Sequence, residues 1–220
     1  MEIFSSPLKT EEKQNGHFTN GHAIGNPLVT FGLPDDAKIK MVSHHFAEIM
    51  KIIGLDVNKP GLKETPRRIA RMYVKDIFKG VNATSQPSIT VFEDRHSYNK
   101  LVIQKNITVH SICELYFLPM IGKAHVAYIS NGKTLGLSKL NRIVEFHSKK
   151  PQRQERFTEE IANSVKEALK TQDVAVFIDA AHLSVTMRGV KDASSSTVTS
   201  YYGGKFQNED IKTEFLLAIK

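Results

Sequence analysis

The side chains best suited to chemistry fall in two short stretches. Ser111 to Ile129 carries Cys113, Tyr116 and His125, and His182-Leu-Ser-Val-Thr-Met-Arg188 carries an imidazole, a hydroxyl and a guanidinium. A thiolate binds zinc or attacks an electrophile, an imidazole exchanges protons near neutral pH, and a phenol can relay one. Neutral tyrosine and serine bind zinc poorly. Read one at a time, these residues have plainer explanations. A lone cysteine such as Cys113 is more often a small buried hydrophobe than a ligand. Ser184 can be a hydrogen-bonded strand residue, and His125 or His182 a packed histidine.

The elements that position these groups follow from periodicity. If residues 182–190 form a strand, His182, Ser184, Thr186 and Arg188 share one face and Leu183, Val185 and Met187 the other. From Ile39, the spacing of Val42, Phe46, Ile49, Met50 and Ile53 predicts a helix stopped by Gly54. Thr65-Pro66 predicts a second start, with the hydroxyl as cap and a proline that loses no amide bond, followed by Ile69, Met72, Tyr73 and Ile77 on one side. Period-two patterning marks strands at 88–92, 101–109 and 123–130, and Asn131-Gly132 offers a hairpin turn. Ser138 is expected to cap a helix bearing Leu140, Ile143, Val144 and Phe146. Pro151 separates it from another helix bearing Ile161, Val165, Ala168 and Leu169. Strands at 174–179, 182–190 and 197–201 precede a closing helix, or a helix and edge segment, over 209–219. The layout is α+β, with helices on one side of a largely antiparallel sheet whose open face and edges call for oligomerisation.

Composition narrows the class. A chain of 220 residues with 40% hydrophobic side chains is long enough for one domain with a real core, here read as 39–220 with N-terminal helices over 39–80. Residues 1–38, polar and punctuated by Pro7, Pro27 and Pro34, read as an arm or lead-in. No apolar run is long enough to span a bilayer, Met1 to Pro7 lacks the pattern of a secretory leader, and one cysteine excludes an intramolecular disulfide. A cytoplasmic protein without membrane contact is therefore expected. The net charge of +7 could attract a phosphorylated small molecule, whereas scattered Lys and Arg among 23 acidic residues argue against nucleic acid.

Several longer motifs carry a family resemblance: Thr65-Pro-Arg-Arg-Ile-Ala-Arg-Met-Tyr73, Leu135-Gly-Leu-Ser-Lys-Leu-Asn-Arg-Ile-Val144, Gln154-Glu-Arg-Phe-Thr158, Ala181 to Val190 and Ser196-Thr-Val-Thr-Ser200. In this order they resemble GTP cyclohydrolase I over residues 39–218. The resemblance implies the tunnelling fold, in which subunits join antiparallel sheets into a barrel and two rings stack, so a homo-oligomer, expected as a decamer, is implied. It also implies sites at subunit interfaces that bind a purine or pterin, phosphorylated or not. It puts the family's zinc ligands at Cys113, Tyr116 and Ser184, and a further acid–base histidine at Leu115. Gln154 and Glu155 match the pair that holds the pyrimidine part of the substrate, where a carboxylate accepts two parallel hydrogen bonds. Ser138, Lys139, Arg142 and Arg188 match the triphosphate cradle, with Arg68 and Arg71 beside it. His125 matches a pocket-side histidine in a Lys-x-His segment.

Loss of the ligand pattern with retention of the binding residues leads to an expectation of metal-independent chemistry, with no cofactor, on dihydroneopterin or its phosphate. Tyr116, His182, His125 and Cys113 would be the catalytic set for retro-aldol cleavage or epimerisation of the side chain, with proton transfer by Tyr116 and a histidine, as in related tunnelling-fold aldolases. Two alternatives stand beside it. One is conversion of GTP to dihydroneopterin triphosphate at an altered metal site, and the other is a non-catalytic purine- or pterin-binding homologue.

Overall fold

Alternating apolar residues build strands β2 (Leu101–Cys113), β3 (Pro119–Ile129), β6 (Val174–His182) and β7 (Thr197–Tyr202) in the computed structural model, which describes residues 32–81, 87–93 and 98–220. Each pairs antiparallel with the next, and a short β5 (Pro151–Gln152) runs parallel to β2, giving a five-stranded sheet in the order β5-β2-β3-β6-β7. A separate two-stranded ribbon joins β1 (Val91–Glu93) to β4 (Lys133–Leu135). Between β3 and β4, Gly132 takes the left-handed φ of +72° that the expected Asn131-Gly132 turn needs. In β2 the register shifts between Gln104 and Ile107, where Asn106 has φ +61°. Such a bulge bends a strand and strengthens its twist.

The two faces of the sheet bury different partners. Val109, Met120, Ala124, Val126, Val176 and Ile178 face α3 (Leu137–Ser148) and α4 (Gln154–Leu169). On α4, Phe157, Ile161, Val165 and Leu169 recur at helical spacing and are buried. Each side chain of this size contributes about 1.5–3 kcal/mol when withdrawn from water. On the other face, Ala127, Ile129 and Ala175 meet Phe206 and Phe215, the latter on α6 (Glu209–Ile219). Asn208 caps α6 by accepting from the amides of Asp210 and Ile211.

Several expected boundaries move. Helix α1 (Asp35–Ile52) begins after Pro34, ahead of the apolar periodicity, because Asp35 and Asp36 in its first turn suit the positive end of the helix dipole. Of the expected arm, residues 1–31 lie outside the described ones. Thr65 is the first residue of α2 (Thr65–Arg71) and makes no capping hydrogen bond. The chain then winds on as a π-helical segment over Met72–Ile77. Likewise Gly136, not Ser138, precedes α3.

The largest departure is at residues 182–190. There β6 ends at His182, a short helical turn α5 (Leu183–Thr186) follows, and the Met187 amide closes it onto the Leu183 carbonyl at 3.0 Å. Strand β7 pairs with β6 only as far as Ala180↔Thr197, so the segment beyond has no ladder partner on that side and satisfies its backbone locally. The shared strand face expected for His182, Ser184, Thr186 and Arg188 does not form. Among the described residues, no helix is long and apolar enough to cross a membrane.

Candidate functional site

One end of the sheet gathers most of the candidate residues. Cys113, buried at the end of β2, pairs with Gln152 of β5, and the chain turns back at once into β3. Two backbone bonds close this turn, Cys113 N–H to the Leu118 carbonyl and Phe117 N–H to the Cys113 carbonyl, both 2.9 Å. Phe117 is held at φ +53°, a conformation that side-chain-bearing residues rarely adopt. A buried network fixes the turn from behind. The Glu114 carboxylate accepts from Arg156, Arg156 Nε donates to Gln152 Oε1 at 3.0 Å, and the Glu114 amide donates to the Gln152 carbonyl at 3.0 Å. The turn therefore presents Leu115, Tyr116 and Phe117, all more than half exposed, from a rigid frame.

Across the sheet, His182 pairs with Met120 and faces the helices. Gln154, the first residue of α4, is 2% exposed and spends its whole amide inside the protein. Its Nε2 lies 3.2 Å from the Ile178 carbonyl, 2.8 Å from the Thr197 carbonyl and 3.1 Å from Thr199 Oγ1. Carbonyls only accept, so the nitrogen must face them and Oε1 must face His182 Nε2, 2.7 Å away. Nε2 then carries the proton, and in the neutral ring Nδ1 carries the lone pair. Burial lowers the His182 pKa against the opposing charge of Glu155, which favours that neutral ring. Glu155 is exposed in the first turn of α4, with Arg153 Nε 3.9 Å from its carboxylate.

Arg188 joins this end too: its guanidinium carbon lies 4.1 Å from the centre of the Tyr116 ring. Ser138, Lys139 and Arg142 do not. They occupy the first turns of α3, which starts just after β4 and runs until β5 pairs with Ile112 and Cys113. Twelve residues at about 1.5 Å each separate the two ends of that helix. Lys139 Nζ donates to the Ser88 carbonyl at 3.1 Å, and Arg68 and Arg71 are exposed on α2. Nor does His125 meet His182 within one chain. It pairs with Phe177, five residues along β3 from Met120, and so points to the opposite face. Buried there, its Nδ1 has no hydrogen-bond partner among the described residues, and burial, reinforced by the charge of Lys105, lowers its pKa against Asp179.

The structure adds residues that sequence reasoning passed over. Thr197 and Thr199 lie in the singled-out Ser196–Ser200 motif, and their role is to hold Gln154. Thr158 Oγ1 shares a 2.7 Å bond with Thr199 Oγ1 and donates to the Gln154 carbonyl at 2.9 Å. Arg156 and Gln152 form the frame of the Cys113 turn.

A zinc ion, which the resemblance implies, does not fit these residues. Of Cys113, Tyr116 and Ser184, only the cysteine is a good donor, and the Arg188 guanidinium already lies against Tyr116. Among the described residues, no three His, Cys, Asp or Glu side chains converge as a ligand set.

Comparison with known proteins supplies the family. The model for GTP cyclohydrolase I matches residues 42–220. A protein named GTP cyclohydrolase 1 from Flavobacterium johnsoniae is 46% identical over 212 residues, covering 96% of this chain and 94% of the relative. Proteins of the same name from Vibrio vulnificus and Aeromonas hydrophila are 43% and 42% identical over 198 residues, covering 90% of this chain and 91% of each relative. These findings overturn the expectation of a metal-independent dihydropterin aldolase or epimerase, a lyase-type reading. The relatives are named for a hydrolase of GTP and match nearly the whole chain. The aldolase reading had rested on the shape of the scaffold and the altered residues alone, and shared scaffold does not fix reaction.

Proposed function

Because the chain belongs to the GTP cyclohydrolase I family, we propose that it acts on GTP, opening the purine hydrolytically to dihydroneopterin triphosphate at a site whose metal end is altered. The observation that carries this reading is the pairing of Glu155 at the head of α4 with a His182 oriented by a Gln154 locked into the fold. The names of the relatives support the substrate. Glu155 accepts from the guanine ring N–H and its exocyclic amino group. Lys139, Arg142 and Ser138 receive the triphosphate, with Arg188 from the turn end. His182 takes up and returns a proton through Nδ1 as water adds at C8 and that carbon leaves as formate, so GTP and water balance formate and the product. A ring-shaped homo-oligomer, with the sheet closed into a barrel and ten chains in two rings, brings the α3 end of one chain to the turn end of another.

A second reading, a homologue that binds GTP without turnover, is favoured by Leu115, Tyr116 and Ser184, which replace the family's proton-transfer histidine and two metal-binding positions. Incubating the purified full chain with GTP tests both. Formate release with a new pterin absorbance supports hydrolysis, saturable GTP binding without formate supports the second reading, and absence of binding overturns both.

A further inference from the structure

We infer that this chain engages its nucleotide without a metal ion, the positive charge at the turn end of the site being supplied by Arg188 seated on the Tyr116 ring. The ligand in this statement rests on the GTP reading above, whereas the exchange of metal for guanidinium rests on the geometry of the turn. That turn is firmly held. Glu114, Arg156 and Gln152 hold its backbone by buried hydrogen bonds, and Cys113 and Phe117 close it. Position 116 is therefore presented in a defined place, and what it presents is an aromatic face.

A guanidinium 4.1 Å from that ring centre makes a cation–π pair. A fixed cation at this point repels a divalent ion. Its planar fork also matches phosphate oxygens, or the N7 and O6 acceptors of a guanine. Leu115 and Ser184 complete the exchange, since neither is a good ligand for a metal of the zinc class. The site so built takes an anionic purine nucleotide by charge and stacking.

The test uses the full chain purified from zinc-supplemented culture, with elemental analysis and calorimetric titration with GTP before and after dialysis against a chelator. The expected result is zinc far below one per chain and the same Kd in both titrations. Arg188→Met should raise that Kd at least about tenfold, and Arg188→Lys should recover only part of the loss, because an ammonium lacks the planar fork. About one zinc per chain, or a GTP affinity that collapses after chelation, would overturn the exchange. Failure to bind GTP under either condition, with zinc absent, would instead overturn the GTP reading and with it the role given to Arg188.

Discussion

The carbonyls of Ile178 and Thr197 leave Gln154 one way to turn its amide, and that orientation decides which nitrogen of His182 holds the proton. Gln154→Leu should therefore do two separable things. Stranding buried acceptors costs about 1–3 kcal/mol of stability, visible as a lower Tm. Loss of the ring's orientation should lower kcat for GTP more than it raises KM. The half-buried His182 also predicts a pH signature. Its folded pKa is depressed, so its contribution to stability is full above the unfolded histidine value and is lost as pH falls through the folded one. NMR titration should place its midpoint below the ordinary histidine value, and removing the nearby charge by Glu155→Gln should lower it further while weakening GTP binding. A midpoint unchanged by that substitution would separate Glu155 from the site. Gln154, Glu155 and His182 could be read from contiguous motifs. The threonines that hold Gln154 could not, because they lie 43 and 45 residues away and meet it only through β-pairing.

At the level of elements, period-two patterning over 182–190 suggested a strand, but alternation describes only side chains, and a strand also needs a neighbour for its backbone. β7 stops pairing at Ala180, and the segment beyond coils into α5. The long helices were legible because their apolar residues recur over many turns, as α4 shows. What the pattern did not disclose is the polar lock between α3 and α4. Glu160 accepts from His147 at 2.9 Å and Gln152 at 2.9 Å, and Lys150 lies 3.3 Å away. Burial alone would raise the Glu160 pKa, but the His147 hydrogen bond, the Lys150 charge and Gln152 outweigh it and lower the carboxyl to about 2. The stability this confers is present above the unfolded carboxylate range and is lost as pH falls from about 4.5 towards 2. Glu160→Gln should flatten the acid limb of a stability–pH curve across that window; an unchanged limb would remove the lock from the account. At the other end of α4, Lys170 sits in the left-handed region at φ +54°. Lys170→Gly should raise stability by roughly 0.5–1 kcal/mol in urea unfolding, since glycine takes that conformation without strain.

Across the whole molecule, the residues proposed for recognition fall in two groups. Glu155, His182 and Arg188 belong to the turn end of the sheet, and Ser138, Lys139 and Arg142 to the first half of α3. If one GTP is held by both sets, as proposed above, the length of α3 favours a site shared between two copies. Leu115, Phe117, Ile121 and Met187 are exposed apolar residues at this end, which suits that proposal. Two variants with complementary defects make the point testable. Lys139→Ala/Arg142→Ala damages only the phosphate half and Glu155→Gln/His182→Ala only the purine half, so each homo-oligomer should fail to bind GTP. Unfolded together, mixed in equal amounts and refolded, they should recover about a quarter of the wild-type sites, because one pairing in four joins two undamaged halves. Light scattering on the same samples should show one assembled species. Recovery of no sites from properly assembled mixtures would mean that each chain carries its own complete site and would overturn the shared one, whereas GTP binding by Lys139→Ala/Arg142→Ala alone would return those residues to the ordinary surface of α3.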